Sequence, residues 1–139
     1  FAAQPHVFIS NHHPLAKKDR LSLAELENYP YVFFEQGVNN SLYFSEEHVS
    51  SVSSKKLIKV NDRAALLNIL VGSDAFTIST GIMSVELNGD SFAAVPLEDQ
   101  GEIELGIITH RKTVLSPIAE TYLEILESVA KEVRVMKHP

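Results

Sequence analysis

Residues 57–79 read Leu57-Ile58-Lys59-Val60-Asn61-Asp62-Arg63-Ala64-Ala65-Leu66-Leu67-Asn68-Ile69-Leu70-Val71-Gly72-Ser73-Asp74-Ala75-Phe76-Thr77-Ile78-Ser79. A short apolar run over Lys55–Val60 has the composition of a strand, and Ala75–Ser79 has it again. Between them, Asn61-Asp62 supplies a cap for a helix over Arg63–Val71, where Leu66, Leu67, Leu70 and Val71 cover one face and Gly72 ends the pattern. Strand, helix, strand in this order calls for a right-handed crossover between parallel strands.

The same alternation extends in both directions. Upstream, His6–Ser10 is a strand candidate that ends at the turn Asn11-His12-His13-Pro14. Ser22-Leu23-Ala24-Glu25 has the spacing of a capping box, with the hydroxyl on a free backbone N–H and the glutamate reaching back to the cap. It opens a short helix over Leu23–Glu27 that stops before Pro30. Tyr31–Phe34 follows as a buried strand bounded by Pro30 and Gly37, and a helix is expected from about Ser41 to Ser51.

Downstream, Thr80-Gly81 opens a turn into a short helical piece near Met83–Leu87. Phe92–Leu97 and Ile103–Thr109 read as two more strands, separated by Glu98-Asp99-Gln100-Gly101, a signal for a hairpin or a sharp change of direction. Ser116-Pro117 starts the last helix, of about 17 residues, with serine at the cap and proline at the first helical position. Ile118, Tyr122, Ile125, Leu126, Val129 and Val133 step by three and four residues along it, one wide stripe expected to face a core. The expected fold class is therefore α/β, a mixed, mostly parallel sheet flanked by helices on both faces.

Composition narrows the function. The chain has 139 residues, 45% hydrophobic and 22% charged, which suits one ordinary domain or two small lobes. It has no cysteine, which excludes disulfide scaffolds, thiolate zinc sites and cysteine nucleophiles. Twelve Lys and Arg against eighteen Asp and Glu leave a net charge of −6, the wrong sign for a domain that grips a phosphate backbone by itself. No apolar run reaches the length of a membrane span. The start at Phe1, without an initiator methionine or a basic leader, is expected of an excised piece of a longer protein.

No arrangement of residues supplies a catalytic set. There is no Gly-x-Ser-x-Gly elbow, no phosphate-binding glycine loop with its lysine, and no dinucleotide fingerprint after a strand. Glu102 and Glu104 share one side of a strand, but nothing apolar surrounds them to raise a pKa, so an exposed edge is expected. His12 and His13 are neighbours that point apart on an extended chain; with His6 they are read as solvent-facing turn histidines rather than metal ligands. Glu46-Glu47-His48 lacks the i, i+4 pair of a metalloprotease helix and reads as a solvated face. His110-Arg111-Lys112 is a small basic cluster expected to face water. Neither a metal, a cofactor nor a catalytic residue is expected.

Binding chemistry is better represented. In open parallel sheets, ligands sit outside the carboxyl ends of the strands, where loops become helix N-termini. Those loops are Glu35–Ser41, Asn61–Arg63 and Ser79–Ile82. Gln36, Asn39, Asn40 and Ser41 offer neutral donors and acceptors at a helix start, whose free N–H groups favour an anionic or carboxylate-bearing ligand. The same residues would equally serve as a turn and an ordinary helix cap.

Local signatures add a family. Val7-Phe8-Ile9-Ser10-Asn11-His12-His13-Pro14-Leu15-Ala16, then Leu21-Ser22-Leu23-Ala24-Glu25-Leu26, then Tyr29-Pro30-Tyr31-Val32 together resemble the effector-binding domain of LysR-type transcriptional regulators, from about His6 to Glu132. In that family an apolar strand ends in His-Pro-Leu-Ala, a Ser-Leu-x-x-Leu helix follows, and a proline-led strand comes after. Val60-Asn61-Asp62 with Leu66, Leu67, Val71 and Gly72, the segment Val95-Pro96-Leu97 and the Ser116-Pro117 helix also fall where the resemblance expects them. The chain departs from the family where Gly-x-Gly-Ile and a closing proline are usual: here stand Gly72-Ser73-Asp74-Ala75-Phe76-Thr77-Ile78 and Ser79-Thr80-Gly81.

The resemblance implies a bacterial, cytoplasmic, homo-oligomeric regulator whose sensor has two lobes like a type 2 periplasmic binding protein, with a small-molecule effector in the cleft between them. It implies no enzyme activity, no membrane contact, and DNA contact only through a winged helix-turn-helix outside this chain. On this reading residues 1–11 are a crossover strand from the first lobe, 12–108 the second lobe, and 109–139 a return segment with the last helix. Effector contacts are expected at Gln36, Gly37, Asn39, Asn40, Ser41, Ser79 and Thr80. The rival readings are a lobe of a periplasmic-type solute-binding protein and a small α/β enzyme.

Overall fold

The structure, a computed structural model, describes residues 1–35, 54–82, 90–98 and 101–136. These divide into two compact units, one comprising residues 3–103 and the other residues 1–2 with 104–139. His6–Ser10 pairs on both sides within the larger unit.

In the larger unit the strands are β2 (His6–Ser10), β3 (Tyr31–Phe34), β4 (Leu57–Val60), β5 (Thr77–Ser79) and β6 (Phe92–Pro96). β2 lies between β5 and β6 and is antiparallel to both. β3 and β4 are parallel, with Tyr31 opposite Leu57 and Phe34 opposite Val60. A parallel bridge between Tyr31 and Phe76 joins the two pieces, carried by Val32 N–H to Phe76 O at 2.8 Å and Phe76 N–H to Pro30 O at 2.9 Å. Among the described residues the spatial order is β4, β3, β5, β2, β6, with β2 running against the other four.

Alternation along the strands sorts the core onto two faces. Val7, Ile9, Tyr31, Phe76, Ile78 and Val95 pack on one, with Leu21 and Leu26 from the connection after β2. Phe8, Val32 and Val60 pack on the other beneath Leu66 and Leu70 of helix α2 (Arg63–Gly72). Val71, expected on the buried face, is 48% exposed; 100° per residue carries it past the edge of the stripe that Leu66 and Leu70 define.

The two helix starts among the described residues of this unit follow their sequence signals. Asp62 accepts hydrogen bonds from Ala64 N at 3.3 Å and Ala65 N at 2.7 Å. At α1 (Leu23–Leu26), Glu25 reaches back to accept from Ser22 N at 2.9 Å and from the Ser22 hydroxyl at 3.0 Å. The helices expected at Ser41–Ser51 and Met83–Leu87 lie outside the described residues.

The remaining elements are β1 (Ala2–Ala3), which pairs with β7 (Ile103–Glu104), and α3 (Pro117–Met136). β7 is shorter than the Ile103–Thr109 expected and pairs with β1, while β6 pairs with β2. Phe1 and Leu105 exchange backbone hydrogen bonds of 3.0 and 2.7 Å, and the ladder stops there. Ser116 caps α3 by accepting from Ala119 N at 3.3 Å. Its stripe is present but not buried: Ile118 is 84% exposed, and Tyr122, Ile125, Leu126 and Val129 are all exposed.

Candidate functional site

Because β3, β4, β5 and β6 run the same way, their carboxyl ends gather at one rim of the larger unit. β2 runs the other way, so its amino end, His6, arrives at the same rim between Ser79 of β5 and Pro96 of β6. Leu97 N–H donates to Pro5 O at 3.0 Å and fixes that end of the sheet. Sequence reasoning missed His6 as a rim residue. The only signal for it would have been that β2 is antiparallel, which is a property of its neighbours and not of its own residues.

Ser79 closes β5 and is half-buried. After it, Thr80 accepts from Ile82 N at 3.4 Å, a hydroxyl-closed turn that passes through Gly81 at φ 72°, a left-handed conformation in which glycine has no Cβ to clash. Ser79 and Thr80 are thus held at the strand-end rim. The other expected contacts, Gln36, Gly37, Asn39, Asn40 and Ser41, lie outside the described residues.

The third rim loop, Asn61–Arg63, is chemically spoken for. The Asp62 carboxylate fills the α2 N-terminus and already neutralises the partial positive charge there. The Arg63 guanidinium lies 5.4 Å from the centre of the Phe34 ring. Lys59 Nζ is paired with Glu35 Oε1 at 2.5 Å. An added anion at this corner would meet Asp62 and Glu35 rather than an open helix end.

The histidines divide. His12 is exposed, as expected. His13 and His6, expected to face solvent, are buried. The His13 ring is tilted against Tyr29 at 4.5 Å; its Nδ1 accepts from Leu15 N at 3.1 Å and its Nε2 lies 3.2 Å from Asp74 O. A backbone N–H only donates and a carbonyl only accepts, so Nε2 carries the proton of a neutral ring. Burial pulls its pKa below 6.5, against the opposing pull of the Asp74 carbonyl and charge. His6 Nδ1 sits 2.8 Å from Gln4 O and by the same logic donates to it. Among the described residues no group of three histidine or carboxylate side chains gathers as a metal site. His110, Arg111 and Lys112 are exposed, as are Glu102 and Glu104.

No helix among the described residues is long and apolar enough to cross a membrane. No curated protein matches the chain. Among solved structures it is similar to the effector binding domain of QuiR in complex with shikimate, with TM-score 0.58 and 17% identity over 94% of this chain and 63% of that one. It is also similar to the CcmR regulatory domain of Synechocystis PCC6803 in complex with 2-PG, with TM-score 0.59 and 16% identity over 93% and 64%. A third is HinK, a LysR family transcriptional regulator from Pseudomonas aeruginosa, with TM-score 0.55 and 16% identity over 73% and 36%. The chain thus spans between about a third and two thirds of the length of these proteins. The shared fold is the type 2 periplasmic-binding-protein-like α/β architecture. The LysR substrate binding domain profile matches residues 1–131, and the chain belongs to that family of transcriptional regulator domains.

Proposed function

We propose that this chain is the effector-sensing part of a LysR-type regulator acting in the cytoplasm as a homo-oligomer. The family match over residues 1–131 carries this reading. In it the larger unit is the second effector lobe, the remainder returns to a first lobe, and a winged helix-turn-helix outside this chain reads DNA. A small metabolite binds at the rim, to Gln36, Gly37, Asn39, Asn40 and Ser41 at one helix start and to Ser79 and Thr80 at the end of β5. The half-buried Ser79 and the turn at Thr80 support the second group.

An effector shifts DNA binding only through its different affinities for the open and closed arrangements of the two lobes, a coupling typically of about 1–3 kcal/mol. No side chain here needs to do chemistry, which is in keeping with a family of regulators rather than of enzymes. The test uses the full-length regulator: Asn40→Ala and Ser41→Ala weaken the effector response of operator binding and leave binding without effector intact. An effector dependence equal to that of the unmodified protein overturns the assignment of these residues.

A further inference from the structure

One buried side chain fastens three separate stretches of the larger unit. His13 follows β2 in a tight turn, where its N–H donates to Ser10 O at 3.0 Å and its carbonyl accepts from Ala16 N at 3.0 Å. The residue is 4% exposed. Its ring reaches along its own turn to Leu15 N, across to Asp74 O on the connection between α2 and β5, and lies against Tyr29 just ahead of β3. Leu15 and Ala16, which this turn delivers, pack against the core that holds Ile9, Tyr31 and Phe76.

Each ring nitrogen has a fixed task. Nδ1 accepts from Leu15 N at 3.1 Å and Nε2 donates to Asp74 O at 3.2 Å, because a backbone N–H has no lone pair to offer and a carbonyl has no proton. Protonation turns Nδ1 into a second donor. The two bonds then respond in opposite directions: the bond from Nε2 to Asp74 O becomes charge-assisted and strengthens, while Nδ1 sets one N–H against another. The side that opens is the turn, and the side that holds is the α2–β5 connection.

The surroundings set the pH at which this happens. Burial resists the charged ring, and the Asp74 carbonyl and carboxylate favour it, with burial the stronger, so the pKa stands below the ordinary 6.5. Asp74, exposed on the α2–β5 connection, is the charged group that acts on the ring; Tyr29 brings its aromatic ring from ahead of β3, and Leu15 and Ala16 on the turn itself are apolar. A histidine that titrates near 6.5 when released and lower when fastened favours release as pH falls, by up to about tenfold per pH unit between the two values.

We propose that His13 is a pH-operated latch: neutral, it closes the turn after β2 onto Tyr29 and the α2–β5 connection, and on taking a proton it releases residues 14–16 while the strands stay paired. The Asp74 charge sets the pH of release. This device goes beyond the effector reading and does not depend on it.

The test is a pH series from about 7.5 to about 5 on the isotope-labelled 139-residue chain, following the His13 ring by imidazole NMR and the backbone amides by hydrogen-exchange protection factors. Leu15 protection should fall in step with protonation of the ring, by up to about tenfold per pH unit, while Val32 and Phe76, bonded within the sheet, keep theirs. His13→Gln supplies an amide that accepts through its oxygen and donates through its nitrogen without titrating, and should keep the turn closed across the series. Asp74→Asn keeps the carbonyl and removes the charge, so the ring titration and the release of Leu15 should both move to lower pH. Leu15 protection that stays constant through the His13 titration overturns the latch, as does a loss shared equally by Val32 and Phe76, which is unfolding of the whole unit. Should His13→Gln not fold, Asp74→Asn decides alone: a midpoint that stays in place or moves up overturns the proposal.

Discussion

His13 is held neutral by its neighbours, and that gives the fold a pH dependence of definite sign. Leu15 N–H occupies Nδ1, so a second proton there would face a donor. Burial lowers the folded-state pKa below the 6.5 of the unfolded chain. The unfolded state then binds more protons between those two values, so this contribution to stability is complete above pH 6.5 and declines as pH falls through the lowered pKa. Urea midpoints should drop between pH 7.5 and 5.5, and His13→Leu should flatten that slope. Glu25 acts at lower pH: the Lys18 ammonium beside it, with the Ser22 N–H and hydroxyl, holds its carboxyl at about 2 against an ordinary 4.5. Its contribution is present above pH 4.5 and is lost as pH falls toward 2, and Lys18→Met should shrink that acid limb in a pH titration of thermal stability. Thr77→Val points the opposite way: relieving a buried unpaired hydroxyl should raise unfolding stability by on the order of 1 kcal/mol. A loss of stability on denaturant unfolding would mean that the hydroxyl has a partner in the protein.

At the scale of elements, local signals worked wherever the stabilising group is local. Asp62 and Ser116 cap the helices they precede, and Glu25 completes the reach of its capping box, because each acts within three residues along the chain. Asp62→Ala should therefore lower stability by about 0.5–2 kcal/mol, while Leu70→Ala, which empties a fully buried position under β2 and β3, should cost about 2–5 kcal/mol; chemical denaturation separates the two. Strand signals were less dependable. Ile103–Thr109 has the β-branched residues of a strand, yet the ladder ends once Leu105 has bonded Phe1, leaving Ile107 and Ile108 exposed. A strand needs a neighbour, and composition does not supply one. Five of the seven expected contacts, Gln36, Gly37, Asn39, Asn40 and Ser41, lie outside the described residues, so the legible part of the site is the end of β5.

At the scale of the molecule, α3 carries its apolar face to water: Ile118, Tyr122 and Ile125 are 84%, 61% and 58% exposed. Helices of this length usually keep such a stripe covered. The isolated chain should self-associate, its sedimentation-derived mass rising with concentration, and Ile118→Glu with Ile125→Lys should hold it at the monomer mass. A wild-type chain that stays monomeric at high concentration would remove α3 as the contact. The sequence by itself determined the alternation of strands and helices, their caps, the absence of thiol chemistry and the family, because periodicity, capping and local motifs act over a few residues. Only the tertiary structure decided that β2 runs antiparallel between β5 and β6, that His6 therefore meets Ser79 at the rim, and that His13 is buried against Tyr29 and Asp74. Those are pairings between residues up to 90 positions apart, His6 with Pro96 the longest of them, fixed by which strands become neighbours and in what register.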